Sequence, residues 1–323
     1  MAKNSTQSAL GMNIPAVQYL RLLNARVLVV QALVCIFLYV NCLMIFTFFK
    51  KEAFRNNVRY ILFAHTLFCD TLFLIISDAL LLMSFSGTTV PVGLCMVIYA
   101  ISGLLNFATP LTLTAMCLER YVAICMPLRH AEISTRRRAI YCIFVIHAVS
   151  SIQQFIIFFM VVSSSPLSLY SIYLYCSVEN LLVVKWQQNV RSAMSQLYFL
   201  AMSVTIAFTY IKIMAAARAA SSDNQTSTAK GLRTVLLHAF QMTLGLIMLW
   251  LPLIEMAVME VNLHAFIELR YFDYITFILA PRCLCPLVYG LRDKQFVLVL
   301  KYYFLYAFYK KVAPVKKPFK SRI

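Results

Sequence analysis

The chain has 323 residues, of which 62% are apolar and only 13% are charged, and its mean hydropathy is +0.78. Soluble domains carry about 25% charged residues, so this composition excludes an ordinary soluble protein and predicts a membrane protein with several spanning segments. The net charge of +17 would suit a nucleic-acid-binding protein, but the positions of the basic residues favour another explanation.

The first 26 residues are polar and lack the apolar core and cleavage site of a signal peptide. The first apolar segment is therefore expected to act as the insertion signal. Asn4 begins an Asn-Ser-Thr glycosylation sequon, which is usable only if this end of the chain is extracellular.

Seven apolar segments follow, each close to the ~20 residues that a helix needs to cross ~30 Å of hydrocarbon. Backbone polar groups must be satisfied within each segment in lipid, so all seven are predicted to be helices. The fold class is therefore an all-α membrane protein, a seven-transmembrane helix bundle over residues 27–290, with an extracellular segment at 1–26 and a cytoplasmic tail at 291–323. We number the segments 1 to 7 and place them at Val27–Phe49, Val58–Met83, Val92–Ile124, Ile140–Val162, Val190–Ala217, Leu232–Val258 and Phe266–Gly290.

The basic residues give the orientation. Most of the 29 Lys and Arg residues lie after segments 1, 3 and 5 and in the tail, whereas the loop between segments 2 and 3 has no charge. The positive side of a membrane protein is cytoplasmic, so the amino terminus is predicted outside and the carboxyl terminus inside. Attraction to anionic lipid then accounts for the charge, and no nucleic-acid partner is expected.

Two of the ten cysteines, Cys95 and Cys176, lie on the predicted outer side, and the others lie within segments or at their cytoplasmic ends. Two cysteines alone in an oxidising compartment favour a disulfide between them. The alternative is a pair of buried free thiols.

Segment 3 ends in a charged string, Met-Cys-Leu-Glu-Arg-Tyr-Val-Ala-Ile-Cys-Met-Pro-Leu-Arg-His at 116–130. A charge pair at the end of a membrane helix either lies at the interface, where Arg120 could extend to lipid phosphates, or has a switching partner. The string resembles the Met-Ala-Tyr-Asp-Arg-Tyr-Val-Ala-Ile-Cys signature of odorant receptors, which are rhodopsin-like G protein-coupled receptors. The resemblance implies that Glu119, Arg120 and Tyr121 form the activation switch.

Further strings extend the resemblance. Residues 286–296 resemble the end of helix 7 and the start of the amphipathic eighth helix of odorant receptors, particularly those of fish, and the Trp-Leu-Pro string at 250–252 resembles the proline hinge of helix 6. The second outer loop lacks the additional cysteines that odorant receptors usually have, which separates this chain from their mammalian branch. The resemblance adds to the switch Tyr210, Trp250, Pro252 and Tyr289.

An acid and a base lie inside the predicted membrane. Rhodopsin-like receptors have an Asp at the position of Asp70 and an Asn on helix 7, and bind sodium between them; here Cys285 replaces that Asn and Arg282 lies one turn earlier. An unpaired arginine at this depth would be costly, so we expect a buried Asp70–Arg282 ion pair of bidentate geometry in place of the sodium site. Alternatively, Arg282 meets another acid or a water-filled cavity.

The resemblance also implies a ligand pocket between the outer halves of segments 3, 5, 6 and 7. Amine receptors have an Asp at the position of Ser102, so the pocket is expected to be mostly apolar and to suit small neutral or weakly polar molecules. If Glu255 faces the pocket, polar or basic ligands are favoured instead. For each single residue, ordinary helix packing is the alternative role. The predicted pocket residues are Ser102, Asn106, Phe107, Met194, Tyr198, Leu253, Ile254, Ala257 and Tyr274.

No catalytic motif, phosphate-binding loop or zinc-ligand spacing is visible, and the five histidines are scattered over different helices and loops. We therefore expect no enzyme, cofactor or metal. The resemblance implies an odorant receptor of the plasma membrane of olfactory sensory neurons, with a small odorant, a stimulatory olfactory G protein and membrane lipid as partners. The alternatives are another chemosensory receptor of the same class, or a transporter in which Asp70, Glu255 and Arg282 line a polar path.

Overall fold

The structure is a computed structural model, and it describes residues 4–164, 166–177, 181–182, 184–219 and 261–282, together with single positions between 236 and 259 and residues 297–299 and 302. Long helices dominate these residues. They cover Asn4–Lys50, Glu52–Arg55, Val58–Phe85, Val92–Cys125, Pro127–Ile133, Arg136–Ser164, Lys185–Ala219 and Leu263–Asp273.

Segments 1 to 5 lie where the hydropathy pattern placed them. Five helices in the described part of the chain are long and apolar enough to cross a membrane, and they correspond to segments 1 to 5. The helix of segment 1 begins earlier than predicted, at Asn4, although its membrane-length part starts at Ala25. Most of segment 6 and the second half of segment 7 lie outside the described residues.

Segment 7 changes its winding near its middle. An α-helix that begins after Asn262, whose side chain accepts hydrogen bonds from the amides of His264 and Ala265, runs to Asp273. A π-helical turn then covers Tyr274–Leu279. Single π turns are common at functional sites, and this one ends three residues before Arg282.

Segment 3 packs against segments 2, 4 and 5, so it is the central helix of the described part. Its inner half contributes Leu113 and Met116 to the largest buried apolar cluster, which also contains Phe63 of segment 2, Ala139 of segment 4 and Val299. Large apolar side chains on the outside of the bundle, such as Phe155 and Phe159 of segment 4, are exposed. Apolar surfaces of this kind suit contact with lipid.

The outer end of segment 3 is fixed by a small two-stranded sheet. Strand β1 at Val90–Pro91 pairs antiparallel with strand β2 at Tyr173–Leu174, and the turn before β1 uses Gly87 with a φ of +70°, a conformation that glycine adopts without steric cost. The sheet holds the second outer loop over segments 3 and 4.

Candidate functional site: a charged network inside the bundle

Asp70 and Arg282 meet in the interior of the bundle. The Nη1 of Arg282 donates a hydrogen bond to the Oδ1 of Asp70 at 2.9 Å. The side chain of Arg282 is 7% exposed and that of Asp70 is 0% exposed, so both charges are buried. The hydroxyl of Thr109 on segment 3 donates to the same Oδ1 at 2.8 Å, and this network therefore joins segments 2, 3 and 7.

The geometry of the pair differs from the bidentate arrangement expected from sequence. The Nη2 of Arg282 donates to the Oδ1 of Asn106 at 2.7 Å instead of to the second oxygen of Asp70. Among the residues that the structure describes, Oδ2 of Asp70 has no hydrogen-bond partner. The guanidinium carbon of Arg282 lies 3.6 Å from the centre of the Phe73 ring, where the negative face of the ring stabilises a cation.

Local sequence explains why segment 3 offers acceptors at this point. Pro110 lies inside its helix and has no N–H to donate to the carbonyl four residues earlier, that of Asn106. The carbonyl of Asn106 therefore lacks the helical donor four residues later, and the side-chain oxygen of the same residue accepts from Arg282.

The residues predicted for the pocket divide into two groups. Phe107 is buried and its ring centre lies 5.6 Å from that of Tyr198, and the hydroxyl of Tyr274 lies 3.4 Å from that of Ser77 on segment 2. Ser102 donates to the carbonyl of Tyr99 on its own helix. These contacts are those of packed helices.

The remaining pocket positions are less enclosed. Met194 is half-buried, and Ile254 and Ala257 are exposed. Tyr198 donates its hydroxyl to the carbonyl of Val149 at 2.9 Å, so it links segment 5 to segment 4. Leu253 lies outside the described residues.

Segments 6 and 7 each contribute an acid of low exposure, Glu255 and Asp273. The side chain of Glu255 is 15% exposed, and its Oε2 lies 4.0 Å from the Nε of Arg270. Asp273 is 3% exposed, and sequence analysis did not single it out. In the sequence, nothing distinguishes Asp273 from an ordinary acidic residue near a helix end. In the structure it is the last residue of the α-helix, directly before the π turn.

The outer and inner ends of segment 3 have the groups that sequence placed there. Cys95 and Cys176 form a disulfide. At the inner end, an oxygen of Glu119 lies 4.0 Å from the Nε of Arg120, and its other oxygen lies 3.3 Å from the Nε2 of His130. One carboxylate therefore lies between two basic side chains.

The other predicted switch residues are placed as follows. The ring of Tyr121 packs against Phe208 of segment 5 at 5.7 Å between centres, and Tyr210, two residues further on, is half-buried. Trp250, Pro252 and Tyr289 lie outside the described residues. Segment 3 thus contacts segment 5 immediately beside Arg120.

Comparison with known proteins identifies the family. The sequence model of the 7 transmembrane receptor (rhodopsin family) matches residues 40–289. The chain is also 44% identical over 281 residues to Odorant receptor 131-2 of Danio rerio, an alignment that covers 87% of this chain and 86% of the relative. The chain belongs to the odorant receptors of the rhodopsin family.

Membership in this family makes the protein a multi-pass membrane receptor and not an enzyme. It also confirms the seven-transmembrane fold class predicted from the segments. The network around Asp70 and Arg282, the disulfide and the inner-end charges all fall within the residues that the family model matches.

The receptor also has a cluster that sequence analysis missed. His65 on segment 2 and His147 on segment 4 lie with their Nε2 atoms 2.9 Å apart, and the Sγ of Cys69 lies 3.5 Å from the Nε2 of His65. We described the histidines as scattered because no sequence spacing relates positions 65 and 147. The packing of segments 2 and 4 brings them together.

Proposed function

We propose that this receptor binds small odorant molecules in a pocket between the outer halves of segments 3, 5, 6 and 7 and activates a stimulatory olfactory G protein. The supporting observation is the hydrogen bond from Arg282 to Asn106. It connects a residue of the proposed pocket to the buried charge of Asp70, so a ligand that engages Asn106 also changes the environment of an ion pair shared by three segments.

The polar side chains of the proposed pocket favour polar ligands over purely apolar ones. Asn106 and Ser102 supply neutral polar groups, and the acid Glu255 of segment 6 lies 4.0 Å from Arg270. Because Arg270 offsets the charge of Glu255, a few neutral polar groups in a mostly apolar pocket favour small ligands that form one or two hydrogen bonds. We therefore expect small neutral or weakly polar molecules to be the effective odorants.

The transporter alternative receives less support. A polar path would need hydrated, accessible charges, whereas Arg282 and Asp70 contact each other, and both side chains are almost fully buried. The network is dense and neutral overall, an arrangement more suitable for a structural or switching element than for an ion path.

The first test is a cyclic AMP assay in cells that express the receptor together with the olfactory G protein. Pools of amines, amino acids and neutral odorants are applied separately, and the control variant is Arg120→Ala with its surface level measured. The proposal predicts a response to at least the neutral pool that disappears in the control. If no pool raises cyclic AMP although the surface level equals that of a responsive receptor, this G protein assignment is contradicted.

The proposed topology is tested independently of any ligand. The amino terminus is proposed to be extracellular and the basic tail to lie on the inner leaflet of the plasma membrane, as expected for an olfactory sensory neuron receptor. An antibody to an amino-terminal tag should label intact cells, and glycosidase treatment should increase the gel mobility of the wild type but not of Asn4→Gln. Labelling only after permeabilisation would refute this orientation.

A further inference from the structure

The cluster of His65, Cys69 and His147 has the composition of a soft-metal site. Each residue offers one ligand atom, and these three atoms lie within 4.8 Å of one another. Cys69 is 1% exposed, and both histidines are partly enclosed where segments 2 and 4 pack together. None of these side chains belongs to the charged network, although Cys69 directly precedes Asp70.

Hydrogen bonds orient the ring of His65 for such a role. Its Nδ1 lies 3.0 Å from the Oγ1 of Thr112, and the hydroxyl of Thr112 donates its own hydrogen to the carbonyl of Ala108 at 2.7 Å. The Thr112 oxygen can therefore only accept from His65, so the proton of His65 lies on Nδ1. The lone pair of Nε2 then points toward His147 and Cys69. Metal-binding histidines are commonly oriented in this way by a partner on the other ring nitrogen.

The distances fit a metal ion with a small adjustment. Three ligands at about 120° around one ion, with bonds of about 2.0 Å to nitrogen and 2.3 Å to sulfur, place nitrogen and sulfur about 3.7 Å apart, close to the 3.5 Å between His65 and Cys69. The two Nε2 atoms are 2.9 Å apart and would need to separate by about 0.6 Å to reach the roughly 3.5 Å of the same geometry. Without metal, the same atoms form a hydrogen bond in which His147 is the donor; with metal, His147 carries its proton on Nδ1.

Charge decides between the possible ions. The thiolate of Cys69 and two neutral imidazoles carry a total charge of −1, and the neighbouring charge of Asp70 is offset by Arg282. A monovalent ion gives a neutral complex, whereas Zn²⁺ leaves a net positive charge that is costly in the membrane interior. Thiolate and imidazole ligands also suit Cu⁺. We propose that His65, Cys69 and His147 bind one Cu⁺ ion that links segment 2 to segment 4.

The site lies close to the membrane face where Cu⁺ is expected to be stable. His65 lies seven residues from the start of segment 2 at Val58, roughly 10 Å from that helix end. This is the end that the positive-inside rule places in the cytoplasm, where reducing conditions maintain Cu⁺. Binding replaces the thiol hydrogen of Cys69 by the metal, and the proton is released to solvent.

The test is a competition measurement on purified full-length receptor in detergent. Cu⁺, kept reduced by ascorbate, is titrated against bicinchoninate, and the background is Cys35→Ser with Cys42→Ser, which removes two exposed thiols. This background should bind one Cu⁺ per chain. Cys69→Ser and His147→Ala should each weaken binding by more than the roughly 10–100-fold expected for Thr112→Val, which keeps the side-chain shape and removes the hydroxyl that accepts from His65 and donates to Ala108.

The outcomes separate a built site from adventitious binding. Equal Cu⁺ affinity in the background protein and in Cys69→Ser would overturn the proposal, and so would Zn²⁺ binding that exceeds Cu⁺ binding under the same conditions. If Cys69→Ser does not fold, the Cu⁺ affinities of Thr112→Val and His147→Ala still test the proposal. An unchanged Cu⁺ affinity in both variants would contradict the site. No odorant is needed, so this result is independent of the proposed receptor function.

Discussion

The buried pair of Asp70 and Arg282 makes a quantitative prediction. At the observed separation of 2.9 Å, the attraction between unit charges is about 6 kcal/mol at an effective dielectric constant of 20. Desolvation of both groups cancels much of this gain. We therefore expect the intact pair to contribute little net stability, whereas a single neutralisation should cost about 3–5 kcal/mol because one charge is left buried without its partner.

The corresponding experiment is a double-mutant cycle. Asp70→Leu, Arg282→Met and the double variant are purified in detergent, and their thermal unfolding is compared with that of the wild type. On the scaling of soluble domains, each single change should lower Tm on the order of 10 °C. The double variant should recover most of this loss, since apolar residues of similar volume often replace a buried pair without cost.

The structure also predicts that exchanging the two charges rescues less than removing both. An aspartate at position 282 would face the negative surface of the Phe73 ring, which now lies 3.6 Å from the guanidinium carbon. It would also lose the donated hydrogen bond of Thr109, which is aimed at position 70. The exchanged variant should therefore have a lower Tm than the doubly apolar one.

A control on the same helix separates charge pairing from the general cost of altering segment 2. Asp78 accepts a hydrogen bond from the amide of Gln31 at 2.6 Å and has a neutral partner, so Asp78→Asn should cost only about 1 kcal/mol. If the effects of Asp70→Leu and Arg282→Met simply add in the double variant, the two residues are not coupled and the reasoning is refuted.

Three further predictions concern helix contacts. Cys95→Ser should lower receptor stability by about 2–5 kcal/mol, measured as thermal unfolding, and dithiothreitol should lower the wild type to the same level without affecting the variant. Gly103→Val should cost about 1–3 kcal/mol, because a Cβ at this position would lie 2.5 Å from the carboxamide of Gln154; adding Gln154→Ala should restore most of the loss in Tm, and no rescue would exclude this contact as the cause. Arg26→Ala should cost less than about 1 kcal/mol and only at low salt, because its ion pair with Glu268 is partly exposed; an effect that persists in high salt would contradict this.

Hydropathy and charge alone were sufficient for much of the fold. Segments 2 and 3 begin at the predicted residues, Val58 and Val92, because each helix starts where a polar or proline-containing loop ends. The meeting of Asp70 with Arg282 was also expected, since two opposite charges at similar depth in lipid have few other ways to be neutralised.

The partners of individual side chains were harder to predict. Asn106 was placed in the pocket because it shares a helix face with Ser102, yet its side-chain oxygen accepts from Arg282, a residue 176 positions away. His65 and His147 are 82 positions apart. Helical periodicity gives the face of a residue on its own helix but not the rotation of a neighbouring helix, so contacts between segments required the structure.

The position of Asn106 suggests a route by which occupancy of the proposed pocket reaches the far end of segment 3, which is predicted to be cytoplasmic. Segment 3 is held at one end by its disulfide, contacts the ion pair through Asn106 and Thr109, and ends beside the charges of Glu119 and Arg120. A ligand can shift this helix only if it binds one arrangement more tightly than the other. A ligand that binds Asn106 competes with its hydrogen bond from Arg282. The donor of this bond is charged, and such a bond contributes about 1.5–3 kcal/mol. That energy changes an equilibrium roughly 10- to 150-fold, which is enough for a switch that starts near balance.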